Sequence, residues 1–429
     1  MSSSPLLGQV EPLKTRMHAE FSSDPAWLLE RRSAALDRYL DTPLPSRPRT
    51  PLRNRRLDEV PVFDAEPVLH SSVWKDLEPE SSRLSLSGAA VMEASLSAEA
   101  KQKGLVFTDL RSALSSHEHI IKPHLDRSLA AEAGKFDALN QAWWQNGAFI
   151  YVPRHVHLAV PLTVVHHQSP EQSGFFPRTL IIMEEESELS LVDLYMQSGT
   201  GDPVRCIASI LVQAVLGPSA VLRYGSIEEL SPSTEAFVHR TANLEADAEA
   251  HWNVGTFGSA LEISSQNTYL RHSGSQNHSV SVFFGSAHQH YDLEVQSVHQ
   301  GTHTKSNIVG KGVMKGRARS VFTGVTDIKH GAVGTDARQK EQTLMLSDQA
   351  RADAIPSLLI EENDVFAAHS ASAGPVDRNA IYYLMSRGMT EREAVEMIVE
   401  GFLAPVIDSI SLDDIRRRVW AAVREKVQE

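Results

Sequence analysis

Residues 336–403 read DARQKEQTLMLSDQARADAIPSLLIEENDVFAAHSASAGPVDRNAIYYLMSRGMTEREAVEMIVEGFL, and within them the pattern changes from strand to helix. From Val365 to Ala373 successive side chains alternate between the two faces of a strand, and His369 shares the face of both ends. The Gly-Pro pair that follows ends the strand, because glycine weakens a strand and proline cannot donate to a ladder. The stretch predicts that a β-rich region ends at 358–373.

Helices follow this strand, and their start signals are local. Asp377 is placed to cap a helix over 378–386, because its side chain can accept a hydrogen bond from a free backbone N–H. Thr390 and Glu393 have the spacing of a capping box, which predicts a second helix. A similar pattern at 411–414 predicts a second capping box and a last helix.

The chain upstream of this stretch is rich in short strand patterns. From Gly147 to Ala373, β-rich segments alternate with turns that carry Gly, Pro, Asn, Asp or Ser, and no long amphipathic helix interrupts them. This pattern excludes a doubly wound α/β fold and leaves sandwiches, a double-stranded barrel and a β-helix open. Successive strand pairs are roughly 20–25 residues apart, which is in the range of solenoid coils, although no residue-level repeat is visible.

The N-terminal part begins with a helix and continues as an arm. Asp24 and Pro25 have the types preferred at an N-cap and at the first helical position, so a helix is predicted to about Leu40. Residues 41–60 are an extended arm, in which two uses of the arginines are open: contact with phosphates, or ion pairs with acidic residues of the same chain. The negative net charge of the chain favours ion pairs within the chain. The arginines are Arg47, Arg49, Arg53, Arg55 and Arg56.

Composition excludes several classes of protein. The 429 residues include 54 acidic and 41 basic side chains, and the net charge of −13 argues against a general nucleic-acid binder. A single cysteine, Cys206, excludes an internal disulfide or a cysteine-rich metal cage, and its strand pattern predicts a buried, inert thiol. No apolar run approaches about 20 residues and no secretory signal opens the sequence, so we expect a soluble cytoplasmic protein without a membrane span.

Enzyme signatures are weak. The sequence contains neither a G-x-x-x-x-G-K-[ST] phosphate loop nor a G-x-S-x-G nucleophile elbow. The sharpest metal pattern is HQHYDLE, in which His288, His290 and Glu294 are similar to part of the cupin metal motif. The spacing of the preceding Gly285 departs from that motif, and no second cupin motif is visible. A cupin-like metal-dependent enzyme is therefore the alternative to a non-enzyme, and polar surface positions are the ordinary explanation of these residues.

Two blocks of this sequence resemble a known family. The segment LMLSDQARADAIPSLLIEENDVFAAHSASAGPVDRNAIYYLMSRGMTEREAVEMIVEGF at 344–402 is similar, in order and spacing, to the SufD branch of the SufB/SufD family of scaffold subunits in the SUF iron–sulfur cluster assembly system. KFDALNQAWWQNGAFIYVPRHVHLAVP at 135–161 is a second matching piece. The resemblance covers about three quarters of the chain by our estimate, and the first hundred residues match poorly.

The resemblance implies a fold and a division of the chain. It implies a mainly β protein, with a right-handed parallel β-helix core flanked by N-terminal and C-terminal helical regions. The expected parts are a helical and irregular region at 1–104, a helical lead-in at 105–146, the β-helix at 147–376 and a helical domain at 377–429.

The resemblance also implies partners. The β-helix is expected to pair with the paralogue SufB, and the C-terminal helices to bind the ATPase SufC, which carries the ATP. A transient iron–sulfur cluster is expected at the interface, with no cofactor held tightly by the isolated chain, and a homodimer in isolation is left open. No enzyme activity, nucleic acid or membrane is expected. The partner-binding residues are expected to be Tyr382, Tyr383, Arg387, Met397 and Phe402.

The resemblance gives His369 a role in cluster building at the interface with SufB. Relatives often carry a cysteine two residues earlier, where this chain has Ala367. A thiolate is a stronger ligand for such a cluster than any other side chain. The remaining ligands are therefore expected to come largely from another chain. From the residues alone, a histidine among small neighbours, bonded to the backbone, is the favoured explanation.

Overall fold

The computed structural model describes residues 10–53, 55, 57, 81–126, 134–158, 160–199 and 203–429. The helices are α1 (Val10–Glu20), α2 (Ala26–Asp41), α3 (Ala98–Gln102), α4 (Leu110–Ser116), α5 (Glu118–His124), α6 (Lys135–Trp143), α7 (Arg378–Ser386), α8 (Glu391–Ile407) and α9 (Asp413–Gln428). The first ten strands are β1 (Arg83–Ser87), β2 (Ala90–Ser95), β3 (Val106–Asp109), β4 (Ala148–Val152), β5 (Leu162–Gln168), β6 (Gly174–Phe175), β7 (Arg178–Met183), β8 (Glu188–Gln197), β9 (Cys206–Leu216) and β10 (Val221–Glu229). The later strands are β11 (Thr234–Leu244), β12 (Glu249–Thr256), β13 (Leu261–Leu270), β14 (Gln276–Gly285), β15 (His290–His299), β16 (Lys305–Met314), β17 (Arg319–Ile328), β18 (Asp336–Met345), β19 (Arg351–Ile360) and β20 (Phe366–Pro375).

The strands form two sheets that the chain visits in turn. Sheet A has the order β2-β1-β5-β8-β10-β12-β14-β16-β18-β20, and sheet B the order β19-β17-β15-β13-β11-β9-β7-β4-β3, with β6 beside β9. From β7 onwards the pairings in both sheets are parallel, so the chain winds as a β-solenoid of about eight turns. Strands hold 43% of the residues and helices 25%, which confirms a mainly β fold with helical ends.

The coils are longer than the sequence predicts. Val221, Glu249, Gln276, Lys305 and Asp336 occupy equivalent positions on successive strands of sheet A, so the coil length is 27 to 31 residues and the prediction of 20–25 is wrong. The difference arises because most strands in the later coils have ten residues, with turns between them.

Alternation along each strand separates an interior from two outer faces. Inward side chains of the early coils form an apolar cluster that includes Leu191, Ile210 and Trp252. A second interior cluster around Phe283 and Phe322 fills the later coils. Because parallel strands in register stack equivalent residues on the same face, each inward position continues as a column from coil to coil.

Helices cover the outer faces of the sheets. Helices α8 and α9 pack on sheet A, where Val399 and Val419 join the outward residue Phe284 in one apolar cluster. Helix α9 approaches the sheet closely at Gly225, where a Cβ would collide with the side chain of Ile415. Helices α1, α2 and α6 cover sheet B in the same way, through a cluster of their own.

Local start signals of the helices are partly confirmed. The Asp377 side chain accepts a hydrogen bond from the Asn379 amide, and Thr390 and Glu393 form the predicted capping box. The capping box predicted at 411–414 is wrong, because α9 begins after Leu412 without a side-chain cap.

The predicted N-cap at Asp24 is also wrong. Helix α2 begins after Pro25, and the Asp24 carboxylate instead forms a buried ion pair with Arg32 at 2.8 Å. The ion pair with Arg32 therefore takes the place of the predicted capping hydrogen bond.

Strands begin earlier than 147. Strand β1 pairs with β5 in parallel and so extends sheet A within the range expected to be helical or irregular. Strands β2 and β3 pair antiparallel with β1 and β4.

The arginine-rich arm lies on the solenoid and pairs with its acidic residues. Arg47 contacts Glu294 at 3.1 Å and Asp292 at 3.6 Å, on the outer face of β15. Arg49 pairs with Asp353 of β19 and Arg55 with Glu235 of β11. The prediction of intramolecular ion pairs is confirmed for these three arginines, while Arg56 lies outside the described residues.

Candidate functional site at the open end of the solenoid

The last coil of the solenoid has two uncovered edges. Within the described residues, β19 pairs only with β17 and β20 only with β18, so each strand has one free edge. Strand β19 also contains Pro356, a residue that sheets tolerate mainly in edge strands. Backbone N–H and C=O groups along a free edge are ready to pair with another chain.

His369 lies in the middle of this terminal coil. It stands in register with Gln339 of β18, whose amide bonds to Thr326 at 2.6 Å and to the Ser357 carbonyl across the interior. His369 therefore occupies the top of an inward column, and it is exposed because no further coil covers it. The predicted strand face is correct, since Ala367 packs against the interior residues Ile328 and Ala337.

Apolar side chains are exposed around this end. Phe366 is 55% exposed, with the guanidinium of Arg338 5.2 Å from its ring, and Leu359 and Ile360 of β19 are each nearly half exposed. An apolar group of this kind at a free sheet edge is typical of a protein interaction site.

Four of the five predicted partner-binding residues are exposed. Tyr382 is 74% exposed and Tyr383 56%, and none of the residues of α7 is buried. Arg387 donates to the Tyr383 hydroxyl at 2.9 Å, and Met397 of α8 is also exposed. These residues belong to α7, the residue that ends it and the first half of α8, after the terminal coil.

Phe402 differs from the other four. It is half-buried against the cluster between α8 and sheet A, and the ammonium of Lys311 lies 4.5 Å from its ring centre. The structure assigns Phe402 to the packing of α8.

The cupin-like residues do not come together as a metal site. His290 is buried and hydrogen-bonds to Thr50 of the arm at 2.9 Å, and burial lowers its pKa. Glu294 pairs with Arg47, and His288 lies exposed in the turn before β15. Among the residues that the structure describes, no group of three or more His, Cys, Asp or Glu is placed to hold a metal ion.

The single cysteine is confirmed as a buried thiol. Cys206 points into the apolar interior of the early coils. Burial raises its pKa to about 12, so it is present as the unreactive thiol at neutral pH.

Sequence reasoning missed a buried ionic network inside the solenoid. Arg240 donates to Glu228, and both side chains are fully buried. The Thr256 hydroxyl lies 3.1 Å from a carboxyl oxygen of Glu228 and 3.2 Å from one of Glu262. Asp193 accepts hydrogen bonds from two buried tyrosines. The only signal in the sequence is that these charged residues stand at inward positions of otherwise apolar strands.

Comparison with known proteins assigns the whole architecture to one family. Residues 165–402 match the family model described as "SUF system FeS cluster assembly, SufBD core domain", and residues 82–164 match "SufBD protein N-terminal region". The two models meet within β5, so together they span the solenoid and α7.

Individual relatives match over nearly their full length. The chain is 31% identical to the iron–sulfur cluster assembly protein SufD of Bacillus subtilis, over 96% of each chain. It is 26% identical to SufB of the same organism, over 92% of this chain and 88% of that protein. A SufBD family protein of Staphylococcus haemolyticus is 28% identical, over 92% of this chain and 88% of its own.

None of the helices in the described ranges is long and apolar enough to cross a membrane. The solenoid with an open end, the exposed helix that follows it and the match over the whole described core agree with one assignment. This chain belongs to the SufBD family of iron–sulfur cluster assembly proteins.

Proposed function

We propose that this chain is a SufD-type, non-catalytic scaffold subunit that pairs with a SufB paralogue through its terminal coil. The observation that carries the proposal is the pair of free edges on β19 and β20, with His369 exposed between them. Free edges with apolar neighbours need a partner, and a homologous solenoid offers edges of the same kind. A second copy of this chain is the competing occupant.

His369 is proposed to act as a ligand of the nascent cluster at that contact. A neutral imidazole is a suitable ligand for iron. Because Ala367 supplies no thiolate next to it, the partner must provide most of the other ligands. The cluster is thus cargo held between two chains and released from them, and no tightly bound cofactor is required in the isolated chain.

The exposed side chains of α7 and α8 are proposed to bind the SufC ATPase, which carries the ATP. Tyr382, Tyr383 and Met397 have exposed apolar side chains, and Arg387 donates to the Tyr383 hydroxyl. Aromatic residues, methionine and arginine are the types enriched in protein interfaces. Because α7 directly follows β20, movement of the ATPase would be transmitted to the terminal coil.

Anaerobic co-purification tests this proposal. The tagged full chain is isolated from its own cells, partners are identified, and iron and sulfide are measured. We expect a complex that contains an ATPase and a paralogous β-protein. A chain that purifies alone, or only as a homodimer, with no iron or sulfide, would contradict the proposal.

Two sets of variants separate the two interfaces. Replacing Tyr382 and Tyr383 with aspartate should release the ATPase and leave the paralogue bound. Replacing Leu359 and Phe366 with aspartate should do the reverse, because those residues flank the free edges. Loss of both partners in both variants, with the fold intact, would show that the surfaces are not divided in this way.

The role of His369 has a matched control. His369→Ala should leave both partners bound but strongly reduce the iron and sulfide of the complex. His330→Ala removes another exposed histidine, 88% exposed in its side chain, and should change nothing. Full cluster content in the His369 variant would reject its role as a ligand.

A further inference from the structure

Glu341 is a buried carboxylate without a side-chain partner among the described residues. It lies on β18 at an inward position and is 1% exposed. The backbone amide of Gly324 faces the carboxylate, but neither oxygen makes a hydrogen bond of good geometry to the described part of the chain. Isolating a charged carboxylate from water costs several kcal/mol, so such a group is rarely retained without a function.

A second unpaired oxygen lies beside it. The amide nitrogen of Gln339 is fully used, but its Oε1 has no partner among the described residues. The Oε1 atoms of Glu341 and Gln339 both crowd the point at which a Cβ on Gly324 would stand, with Gln339 Oε1 2.9 Å from it. Two side chains of sheet A thus direct acceptor oxygens at one place on sheet B.

Small residues lie on two sides of this place. Glu341 stands in register with Gly310 of the coil below and with Ala371 of the terminal coil above. Gly324 faces it from the other sheet, and any side chain there would collide with the carboxylate. Gly324 and Ala371 thus border a cradle around the acceptor oxygens, and the ring of Phe322 closes the side at Gly310.

His369 lies one coil above the cradle. It is opposite Gln339 and diagonal to Glu341 on the same inward face. Strands are about 4.8 Å apart and two residues span roughly 6.6 Å, so the Cα atoms of His369 and Glu341 are about 8 Å apart. One ion between the two side chains is within the reach of both.

We propose that Glu341 and Gln339, together with His369, form a binding site for a divalent transition-metal ion such as ferrous iron. Carboxylate, amide oxygen and imidazole are a suitable donor set for such an ion, and its positive charge compensates the buried carboxylate. The inference rests on the proposed function for its biological meaning: the site would hold the iron that enters the cluster. It makes this chain an iron donor as well as a support for its partner.

The test measures binding of Fe²⁺ to the full chain under anaerobic conditions, by equilibrium dialysis and by competition with a chromogenic chelator, both alone and in the purified partner complex. Glu341→Gln keeps the shape and removes the charge, and Gly324→Ala fills the cradle. Both should weaken Fe²⁺ binding by about tenfold or more. Glu341→Asp, which keeps a carboxylate, should retain part of it.

Glu361→Gln is the matched control, because Glu361 is an exposed acid just after β19. It should bind Fe²⁺ as the wild type does. Glu341→Gln should also melt at the same temperature as the wild type or higher, since it removes an unpaired buried charge.

Equal Fe²⁺ affinity of the wild type and Glu341→Gln would overturn the inference, and so would absence of binding by the wild type in both states. Those results would indicate that the carboxyl group is simply protonated. Partner binding is measured separately by gel filtration. If the chain binds no partner but its affinity for Fe²⁺ still decreases in Glu341→Gln and Gly324→Ala, the scaffold proposal is rejected and the metal site is supported.

Discussion

The imidazole of His299 hydrogen-bonds across the interior of the solenoid to the hydroxyl of Ser306, with 2.9 Å between Nε2 and Oγ. Its other nitrogen bonds to Thr304 Oγ1 at 2.8 Å, so the ring is fixed between β15 and β16. Burial lowers the pKa of His299 to about 4. The folded protein therefore holds this ring neutral at pH values at which an unfolded chain protonates it.

We expect the stability of the protein to fall on acidification from about pH 6.5 to 4, because the unfolded state gains a proton on His299 that the folded state does not bind. The contribution is up to about 1.4 kcal/mol per pH unit. His299→Gln should flatten the slope of the free energy of unfolding against pH, measured by urea titration at pH 7, 6 and 5. His330→Gln, at an exposed site, should leave the slope unchanged; an unchanged slope for His299→Gln would refute the prediction.

The buried carboxyl group of Glu262 should make the stability of the protein decrease as the pH rises. Burial, with the nearby charge of Glu228, raises its pKa to about 8. As the pH rises from 4.5 to 8, the unfolded chain loses a proton that the fold retains, so stability decreases. Glu262→Gln should be more stable than the wild type by a few kcal/mol at pH 8, and the difference should shrink towards pH 4.5. Calorimetry between pH 4.5 and 8 measures this difference in stability. Glu245→Gln, a substitution at the surface, is the control.

The packing of the arginine-rich arm on the solenoid depends on Thr50. Its hydroxyl donates to Asp292 at 2.6 Å and also bonds to His290, in a buried position. Thr50→Val removes a hydrogen bond from each of these two buried side chains, which costs about 1–3 kcal/mol. Hydrogen exchange should increase in residues 41–53 and along β15, whereas Ser46→Ala, at an exposed site of the arm, should have no effect. Unchanged exchange in Thr50→Val would show that the arginine pairs alone hold the arm.

Cys206 should report on global unfolding. Its thiol is buried and its pKa is raised to about 12, so a thiol reagent at pH 8 should label the native protein only as fast as the solenoid opens. Addition of denaturant should expose one thiol per chain. Rapid labelling of the native protein would mean that the early coils open locally.

Local signals predicted the end of the solenoid well. The Asp377 cap and the Thr390 capping box depend on a few adjacent residues, and both are present. The strand also gives way to helix here, although β20 continues through Gly374 to Pro375, two residues past the predicted end. The caps at Asp24 and 411–414 failed where a tertiary ion pair or a different helix start took precedence. Sequence patterns cannot weigh such partners, because Arg32 reaches Asp24 only after α2 has packed.

The coil repeat could not be read from the residues. One inward column contains three small residues of different polarity and a glutamate: Ser281, Gly310, Glu341 and Ala371. The coils repeat in the register of their backbone strands and not in the identity of their side chains, so the sequence contains no visible repeat. His369 was found through a family resemblance, whereas the cradle of Glu341 and Gly324 joins residues on opposite sheets and has no local pattern.

The covering of sheet A has a consequence for biosynthesis. Helices α8 and α9 follow every strand that they cover, and their residues Val399 and Val419 pack on the outward side chains of strands that are made earlier. A growing chain therefore completes sheet A while Val282, Phe284 and Val313 have no cover. Until the last helices leave the ribosome, this apolar strip is available to chaperones, and a chain that stalls before α8 would present it permanently.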